Sequence, residues 1–246
     1  MIVQARNRGT AAGLLLPLLQ VLERDPAARI AVLPSDHHVE RESVLQDSLR
    51  LALESLEDLA EGVTLLGIQP DSPDSGYGWI VPVRSAKLLR PVERFVEKPD
   101  RETAQALLSR GGVWNSFVFA ARGTGLIALF ERRLPELLER FRLAFAAPGE
   151  LRAERLEALY ADLEGRDFSR DVLQGSEDAL RLQSVPPCGW TDLGTPARVA
   201  TCLALLQRMR EPEALVAPER ERASFDLSCA LAQMRALGDM PAALTV

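Results

Sequence analysis

Apolar runs alternate with helical patterns over the first third of the chain. Buried strands are predicted at residues 30–33 (IAVL) and 63–68 (VTLLGI), where apolar residues follow one another without interruption. Residues 10–25 are apolar on most sides, which is typical of a buried helix, and residues 39–60 repeat leucines at helical spacing between acids and arginines. Residues 1–4 indicate the end of another strand. This alternating order predicts parallel strands joined by right-handed crossovers.

The same alternation continues to about residue 210. Further strands are predicted at 91–100, 111–121 and 180–185, and further helices at 101–110, within 124–164 (interrupted at 147–149) and at 197–209. Residues 211–246 follow no clear pattern and contain prolines at positions 212, 218 and 241. We therefore expect one α/β domain over residues 1–210 and a helical or loose C-terminal tail over residues 211–246.

Composition and charge narrow the class of protein. The 246 residues are 47% hydrophobic and 26% charged, with a net charge of −6. This balance disfavours a protein that coats nucleic acid, which normally carries a basic face. No apolar run reaches the roughly 18–20 residues of a membrane span, and the N-terminus does not resemble a signal peptide. Cys188, Cys202 and Cys229 lack metal-binding spacing and indicate reduced thiols. We expect a cytoplasmic protein that binds neither nucleic acid nor membranes.

An acidic residue follows the first predicted strand. The strand at 30–33 is succeeded by Pro34, Ser35 and Asp36, and open α/β sheets bind ligands beyond the carboxyl ends of their strands. A carboxylate there can hold a hard cation. Asp36 can equally cap the helix that follows, and this stretch alone favours the cap.

Four other stretches carry candidate chemistry, and each has a plain structural alternative. The turn at residues 5–13 (ARNRGTAAG) can receive a base edge or an anion, or can simply cap a helix. Glycines at 76 and 78 allow close approach of a ligand, or form a tight turn. Glu97 and Lys98 can meet a hydroxylated, phosphorylated ligand, or form a solvated charge pair. Asn115 interrupts an apolar strand and must find hydrogen-bond partners in the backbone or in a ligand.

Seven segments in order resemble one enzyme family. They are ARNRGTAAG, VLPSDHHV, DSGYGWI, FVEKPD, GGVWNSFVF, DFSRDVL and GWTDLGTP. Together they cover about residues 3–205 and resemble the sugar-1-phosphate nucleotidyltransferases, nearest to the mannose-1-phosphate guanylyltransferase branch. The resemblance implies a Rossmann-like α/β fold with a mixed, mostly parallel sheet flanked by helices.

The resemblance also implies a reaction. Such enzymes join a nucleoside triphosphate, here GTP by the branch, to a sugar 1-phosphate, here mannose 1-phosphate, and release pyrophosphate. Catalysis in such a transfer is mainly positioning and neutralisation of charge. The family holds Mg²⁺ with two aspartates, and the matching positions are Asp36 and Asp192.

The same matching gives other motif residues a role. Asn7, Gly9 and Thr10 would contact the base. Gly78, Glu97 and Asn115 would contact the sugar. Lys98 would contact the sugar phosphate as a catalytic cation. Asp171 is a weaker match to an acidic family position. His37 and His38 are interpreted as structural.

Two departures from the family pattern qualify this interpretation. We find no N-terminal strand and glycine-rich loop of the kind that wraps the triphosphate in the family. The chain therefore resembles an N-terminally incomplete domain, and the edge beside the Asp36 strand is expected to be unpaired. Three explanations stay open: a start site farther upstream, which we favour, a degenerate fragment, or a truncated paralogue that binds sugar phosphates or a protein without turnover. Phe117 stands where the family usually has glycine. A homo-oligomer is also open.

Overall fold

The computed structural model describes residues 2–57, 62–210 and 242–245. The helices are α1 (Gly9–Arg24), α2 (Glu42–Glu54), α3 (Arg101–Ser109), α4 (Gly123–Arg133), α5 (Pro135–Phe145), α6 (Gly149–Asp162) and α7 (Pro196–Arg210). The strands are β1 (Arg29–Leu33), β2 (His38–Val39), β3 (Val63–Ile68), β4 (Trp79–Pro82), β5 (Leu89–Val96), β6 (Val113–Arg122), β7 (Leu180–Val185), β8 (Trp190–Thr191) and β9 (Ala242–Thr245).

The main sheet is mixed and has the strand order β3-β7-β5-β4-β6-β1-β9. In this sheet β5 and β6 run against the other five strands, so most of its strands point the same way, as expected. Neighbouring strands, however, pair in parallel only as β3–β7 and β1–β9 among the described pairings. The prediction that the first strands are parallel neighbours is therefore wrong.

The long strand β6 is the reason for this difference. Its C-terminal half pairs antiparallel with β1 on one edge and with β3 on the other, while its first residues pair with β4. Because β6 is buried and is paired along both edges over most of its length, it separates β1 and β3, the first two strands of the main sheet in chain order.

Helices cover both faces of the sheet and create two apolar cores. Leu14 and Leu15 of α1 and Phe130 of α4 pack on one face, together with Phe119 of β6. Leu53 of α2 and Leu107 of α3 pack on the other face. The strands contribute alternate residues to the two cores, because successive side chains of a strand point to opposite faces. The result is a three-layer α/β/α arrangement, and the predicted α/β fold flanked by helices is confirmed.

A short ribbon connects the two loops that carry the predicted metal aspartates. The antiparallel pair β2–β8 sets His38 opposite Thr191 and Val39 opposite Trp190. Asp36 lies just before this ribbon and Asp192 just after it. The ribbon brings residues that are far apart in sequence to one end of the sheet.

Several sequence predictions change at the chain ends. Residues 2–4 form no strand. The helix predicted over 39–60 is shorter, with a 3₁₀ turn at Ser55–Glu57, and residues 58–61 lie outside the described part. The edge of β1 that was expected to be unpaired carries β9 in parallel register, so that expectation is wrong. Within the predicted tail, residues 242–245 form this strand. The rest of the tail, 211–241 and 246, lies outside the described residues, and the boundary at 210 stays a prediction.

No helix in the described part of the chain is long and apolar enough to cross a membrane.

Candidate functional site

Most of the predicted sugar-side residues surround one cleft. It has a volume of about 110 Å³. The site residues predicted from the sequence that line it are Gly78, Glu97, Lys98, Asn115 and Asp192. These residues come from four separate segments, so the cleft exists only because the strands β4, β5 and β6 and the β2–β8 ribbon converge at this end of the sheet.

The carboxylate of Glu97 is buried and incompletely bonded. Its Oε2 atom has no hydrogen-bond partner among the described residues and no contact with solvent. Burial raises the pKa of Glu97 to about 7, and the charge of Asp167 acts in the same direction. Lys98 and Arg170 oppose this rise through their positive charges. A buried polar atom without a partner is costly, and a ligand hydroxyl in the cleft would supply the missing hydrogen bond.

Gly78 gives Glu97 the space that it occupies. A Cβ at position 78 would overlap Glu97 Oε2 and would lie 3.3 Å from the Cβ of Asn115. The Gly78 carbonyl accepts a hydrogen bond of 2.7 Å from the Asn115 amide. Gly78 therefore leaves room for the Glu97 carboxylate and bonds to β6, and its role toward a sugar stays a prediction.

Asn115 is buried and partly committed to the protein. Its Oδ1 accepts from the Phe117 amide at 3.2 Å, and its Nδ2 donates to Ser169 Oγ at 3.4 Å. Because Nδ2 carries two hydrogens, one donor remains for a ligand. The neighbouring Ser116 is structural, since its hydroxyl donates to the Leu66 carbonyl at 2.6 Å.

Backbone strain is concentrated around this cleft. Among the described residues, left-handed backbone outside glycine occurs at Lys98 (φ 47°), Phe117 (φ 58°) and Leu193 (φ 53°). Lys98 and Phe117 line the cleft, and Leu193 follows Asp192. Such conformations cost about 1–3 kcal/mol each and cluster at functional sites. The value at Phe117 is one that glycine adopts more easily than phenylalanine.

The two predicted metal aspartates face a common histidine. Burial lowers the pKa of His37, although the charges of Asp36 and Asp192 oppose this effect. The His37 ring lies edge-on to Trp190, whose Nε1 donates to His37 Nδ1 at 3.2 Å. His37 thus packs as a neutral aromatic, which agrees with its structural interpretation, while both carboxylates lie near it.

This donor set fits Mg²⁺. Within the described ranges, no group of three or more His, Cys, Asp or Glu side chains is arranged to hold a metal ion. Mg²⁺ needs only one or two protein carboxylates when phosphate oxygens and waters complete its shell. Asp192 lines the cleft and is partly exposed, whereas Asp36 is exposed and does not line the cleft, although its neighbour His37 does.

Sequence reasoning missed the groups that hold Asp192. Its Oδ1 accepts from the Gly194 amide at 3.0 Å and from the Tyr77 hydroxyl at 3.3 Å. Arg198 Nη1 donates to both carboxylate oxygens, at 3.0 and 2.9 Å. Burial raises the pKa of Tyr77 to about 12, so this hydroxyl is a permanent donor. In the sequence, Tyr77 stands out only as the residue between two glycines, and Arg198 only as one of the arginines of a predicted helix.

The predicted base-binding turn lies apart from this cleft. Asn7 Oδ1 accepts from the Gly9 amide at 3.0 Å, and Thr10 Oγ1 accepts from the Phe168 amide at 2.8 Å. Thr10 Oγ1 also lies 3.4 Å from Asp167 Oδ2. The side chains of Asn7 and Thr10 therefore help to hold the turn together, and their role toward a base stays a prediction.

Asp171 serves the same local structure. Its Oδ2 accepts from the Asp167 amide at 2.8 Å, at the start of the π-helical turn Ser169–Leu173. It does not line the cleft, whereas Ser169 of the same turn does. Asp167, which was not selected from the sequence, lies at hydrogen-bond distance from Thr10, and its charge helps to raise the pKa of Glu97.

Fold and cleft together define the class of protein. The family described as nucleotidyl transferase matches residues 1–207. The chain therefore belongs to the nucleotidyl transferase family, and the resemblance seen in its motifs is confirmed.

Individual relatives specify the similarity further. The chain is 35% identical over 144 residues to a mannose-1-phosphate guanylyltransferase of Klebsiella pneumoniae, an alignment that covers 56% of this chain and 30% of that protein. It is 30% identical over 209 residues to mannose-1-phosphate guanylyltransferase ManC of Salmonella typhimurium, covering 79% of this chain and 42% of that protein. The chain thus spans less than half the length of these curated relatives.

Solved structures give the same picture. A crystal structure described as mannose-1-phosphate geranyltransferase from Thermus thermophilus superposes with a TM-score of 0.68 at 31% identity, over 78% of this chain and 54% of that chain. One described as mannose-6-phosphate isomerase from Helicobacter pylori has a TM-score of 0.63 at 21% identity, over 77% and 73% of the two chains. The second likeness supports the fold alone.

Proposed function

We propose that this protein transfers a nucleotidyl group from a nucleoside triphosphate to a sugar 1-phosphate, with GTP and mannose 1-phosphate as the substrates. The phosphate oxygen of the sugar phosphate attacks the α-phosphorus of the triphosphate, the bond to the β-phosphate breaks, and pyrophosphate leaves. Family membership supports the reaction class, and the relatives named as mannose-1-phosphate guanylyltransferases support this base and this sugar.

The observation that carries the proposal is the bonding state of Glu97. Its Oε2 atom is buried and lacks a hydrogen-bond partner among the described residues, although it lies in a cleft with Asn115 and Lys98. A sugar hydroxyl would donate to Glu97, and the remaining donor of Asn115 would bind a second sugar oxygen. Lys98, which is exposed at the rim, would meet the phosphate as a compact positive charge.

Asp192, which lines the cleft, and Asp36, which adjoins the lining residue His37, would hold Mg²⁺. When bound, the ion would neutralise charge that develops on the phosphate groups. Asn7, Gly9 and Thr10 are proposed to receive the base at the start of α1, because amides in the first turn of a helix lack intrahelical partners and can donate to a ligand.

The direct test is pyrophosphate release in the presence of Mg²⁺, GTP and mannose 1-phosphate. We expect Asp192→Asn and Asp36→Asn each to lower the turnover at least about a hundredfold, because each removes a charge that holds the ion. Asp162→Asn is the matched control, since Asp162 is exposed on α6 and pairs with Arg140 at 2.8 Å. It should leave turnover unchanged.

A second candidate function is a sugar-phosphate-binding or protein-interaction module without turnover. The unsatisfied Glu97 carboxylate favours ligand binding in either case, so binding and turnover must be measured separately. Binding of mannose 1-phosphate that Glu97→Gln weakens, without pyrophosphate release from wild type and with no loss in Asp36→Asn, would support the second function and contradict the first.

A further inference from the structure

Arg198 holds two aspartates at once beside the cleft. Its Nη1 donates to both oxygens of Asp192, at 3.0 and 2.9 Å, and its Nη2 donates to Asp74 Oδ2 at 2.6 Å. The guanidinium lies over the ring of Tyr77, 3.9 Å from its centroid. The Arg198 side chain is only 17% exposed. This arginine is therefore fixed from three sides and shielded from solvent.

Arg198 is a single positive charge between two negatively charged carboxylates. One arginine faces two carboxylates, so Asp74 and Asp192 compete for a single positive charge. Each carboxylate has a further donor, because the Gly76 amide bonds to Asp74 at 2.7 Å and the Gly194 amide bonds to Asp192 at 3.0 Å. A change at either aspartate must alter the pairing of the other.

The hydrogen bonds leave the two oxygens of Asp192 in different states. Oδ1 receives Gly194, Tyr77 and Arg198, whereas Oδ2 receives Arg198 alone among the described residues. Oδ2 therefore retains acceptor capacity. A cation bound there would have to share the carboxylate with Arg198, and two positive centres on one carboxylate repel each other.

We propose that Arg198 is a positioning residue that weakens the hold of Asp192 on a divalent cation, and that Asp74 limits this effect by drawing on the same guanidinium. This inference rests on the proposed role of Asp192 in the transfer reaction. A cation held with moderate strength can arrive and leave with phosphate groups, which suits a reaction whose product is pyrophosphate.

The test is a titration of the full chain with Mn²⁺ in the absence of substrates. The electron paramagnetic resonance signal of unbound Mn²⁺ measures how much of the ion is bound. We expect Arg198→Met to tighten the Kd by roughly threefold to tenfold, as one opposing charge in a partly buried site is removed. Arg198→Lys keeps the positive charge but loses the guanidinium fork that joins the two aspartates, so its Kd should lie between those of wild type and Arg198→Met. Arg198→Gln serves as a second neutral variant if the methionine variant does not fold.

The proposal also predicts that a substitution at Asp74 changes the Mn²⁺ affinity in the opposite direction. Asp74→Asn should weaken Mn²⁺ binding, because the whole guanidinium then pairs with Asp192. In the background of Arg198→Met the same substitution should have a clearly smaller effect. Equal effects in both backgrounds would show that Asp74 acts only as a distant negative charge and would overturn its part in the proposal.

The pair Arg140 and Asp162 provides the control. Arg140→Met removes the arginine of an exposed ion pair that does not line the cleft. This variant should leave the Mn²⁺ Kd unchanged. If Arg198→Met keeps the thermal midpoint of wild type but its Mn²⁺ Kd is unchanged or larger, the inference is overturned. This holds even if the wild-type protein transfers nucleotide. The expected Mn²⁺ pattern without pyrophosphate release would retain it and overturn the proposed function instead.

Discussion

Glu97 links ligand binding to the pH dependence of stability. Its pKa is raised to about 7 in the folded protein, first of all by burial, whereas an unfolded glutamate titrates near 4.3. The folded state therefore binds more protons than the unfolded state between these values, and the free energy of unfolding falls as the pH rises through this window.

We expect Glu97→Gln to remove most of this dependence. The loss of stability from pH 5 to pH 8, on the order of 2 kcal/mol in wild type, should be markedly smaller in the variant. Urea denaturation at the two pH values measures it. Glu102→Gln, at an exposed position in the first turn of α3, is the control and should keep the wild-type slope.

Phe117 offers a test of the strained backbone in the cleft. Its φ of 58° is left-handed, where glycine is favoured and a residue with a Cβ is strained. Phe117→Gly and Phe117→Ala both remove the ring contacts to Phe119 and Phe168, but only glycine relieves the backbone. We expect the glycine variant to be the more stable of the two by about 1 kcal/mol in urea denaturation. The usual order, alanine above glycine, would contradict a left-handed residue at this position.

The sequence indicated some of these residues and concealed others. Asn115 and Ser116 could be selected because two polar residues interrupt an apolar strand, and the structure has a β-bulge in the pairing of β3 with this part of β6. Arg198 could not be selected, since its role depends on α7 meeting the loop that carries Asp74. No local pattern encodes a contact between segments 124 residues apart.

At the scale of elements, the start of α1 depends on one glycine. Gly9 has a φ of 83°, and a Cβ there would overlap the carbonyl oxygen of Arg166. That carbonyl already accepts from the Ala11 amide at 3.1 Å, so it is fixed. Docking of α1 on the segment before the π-helical turn therefore requires a residue without a side chain.

Gly111 provides a matched comparison for this docking. It has a similar φ of 79° but nothing within 4 Å of its would-be Cβ. We expect Gly111→Ala to lower the free energy of unfolding by about 1 kcal/mol, the cost of the backbone conformation alone, and Gly9→Ala to lower it by at least about 1 kcal/mol more. Equal losses of unfolding free energy in the two variants would mean that the Arg166 carbonyl can move away from the added Cβ without destabilising the protein.

Most elements were predictable because their patterns are local. The strand Leu180–Val185 was predicted at its observed bounds, and α7 to within a residue at each end. The ribbon β2–β8 was not predicted, because two residues in each strand leave no periodic signal. The break at Leu134 between α4 and α5 was missed because the apolar pattern continues across it, although Pro135 at the start of α5 marks it.

At the scale of the whole molecule, β9 completes the sheet. It covers the edge of β1 over four residue pairs in parallel register. This pairing joins the chain's last described strand to its first, and sequence patterns could not reveal it, since they do not specify which strands become neighbours. An exposed strand edge promotes association.

Removal of residues 242–246 should therefore lower the thermal midpoint and increase self-association. We expect sedimentation velocity to detect species larger than the wild-type particle at equal concentration. Removal of Val246 alone leaves β9 intact and should change neither quantity. A truncated protein with unchanged midpoint and sedimentation would show that the β1 edge needs no cover.

The position of β6 has a consequence for synthesis on the ribosome. Strands β1 and β3 leave the exit tunnel well before β6, the strand that both of them pair with. At about 5–20 residues per second, the nascent chain presents two apolar strands without their common partner for several seconds. Both strands can complete their pairing with β6 only after residue 122 has emerged.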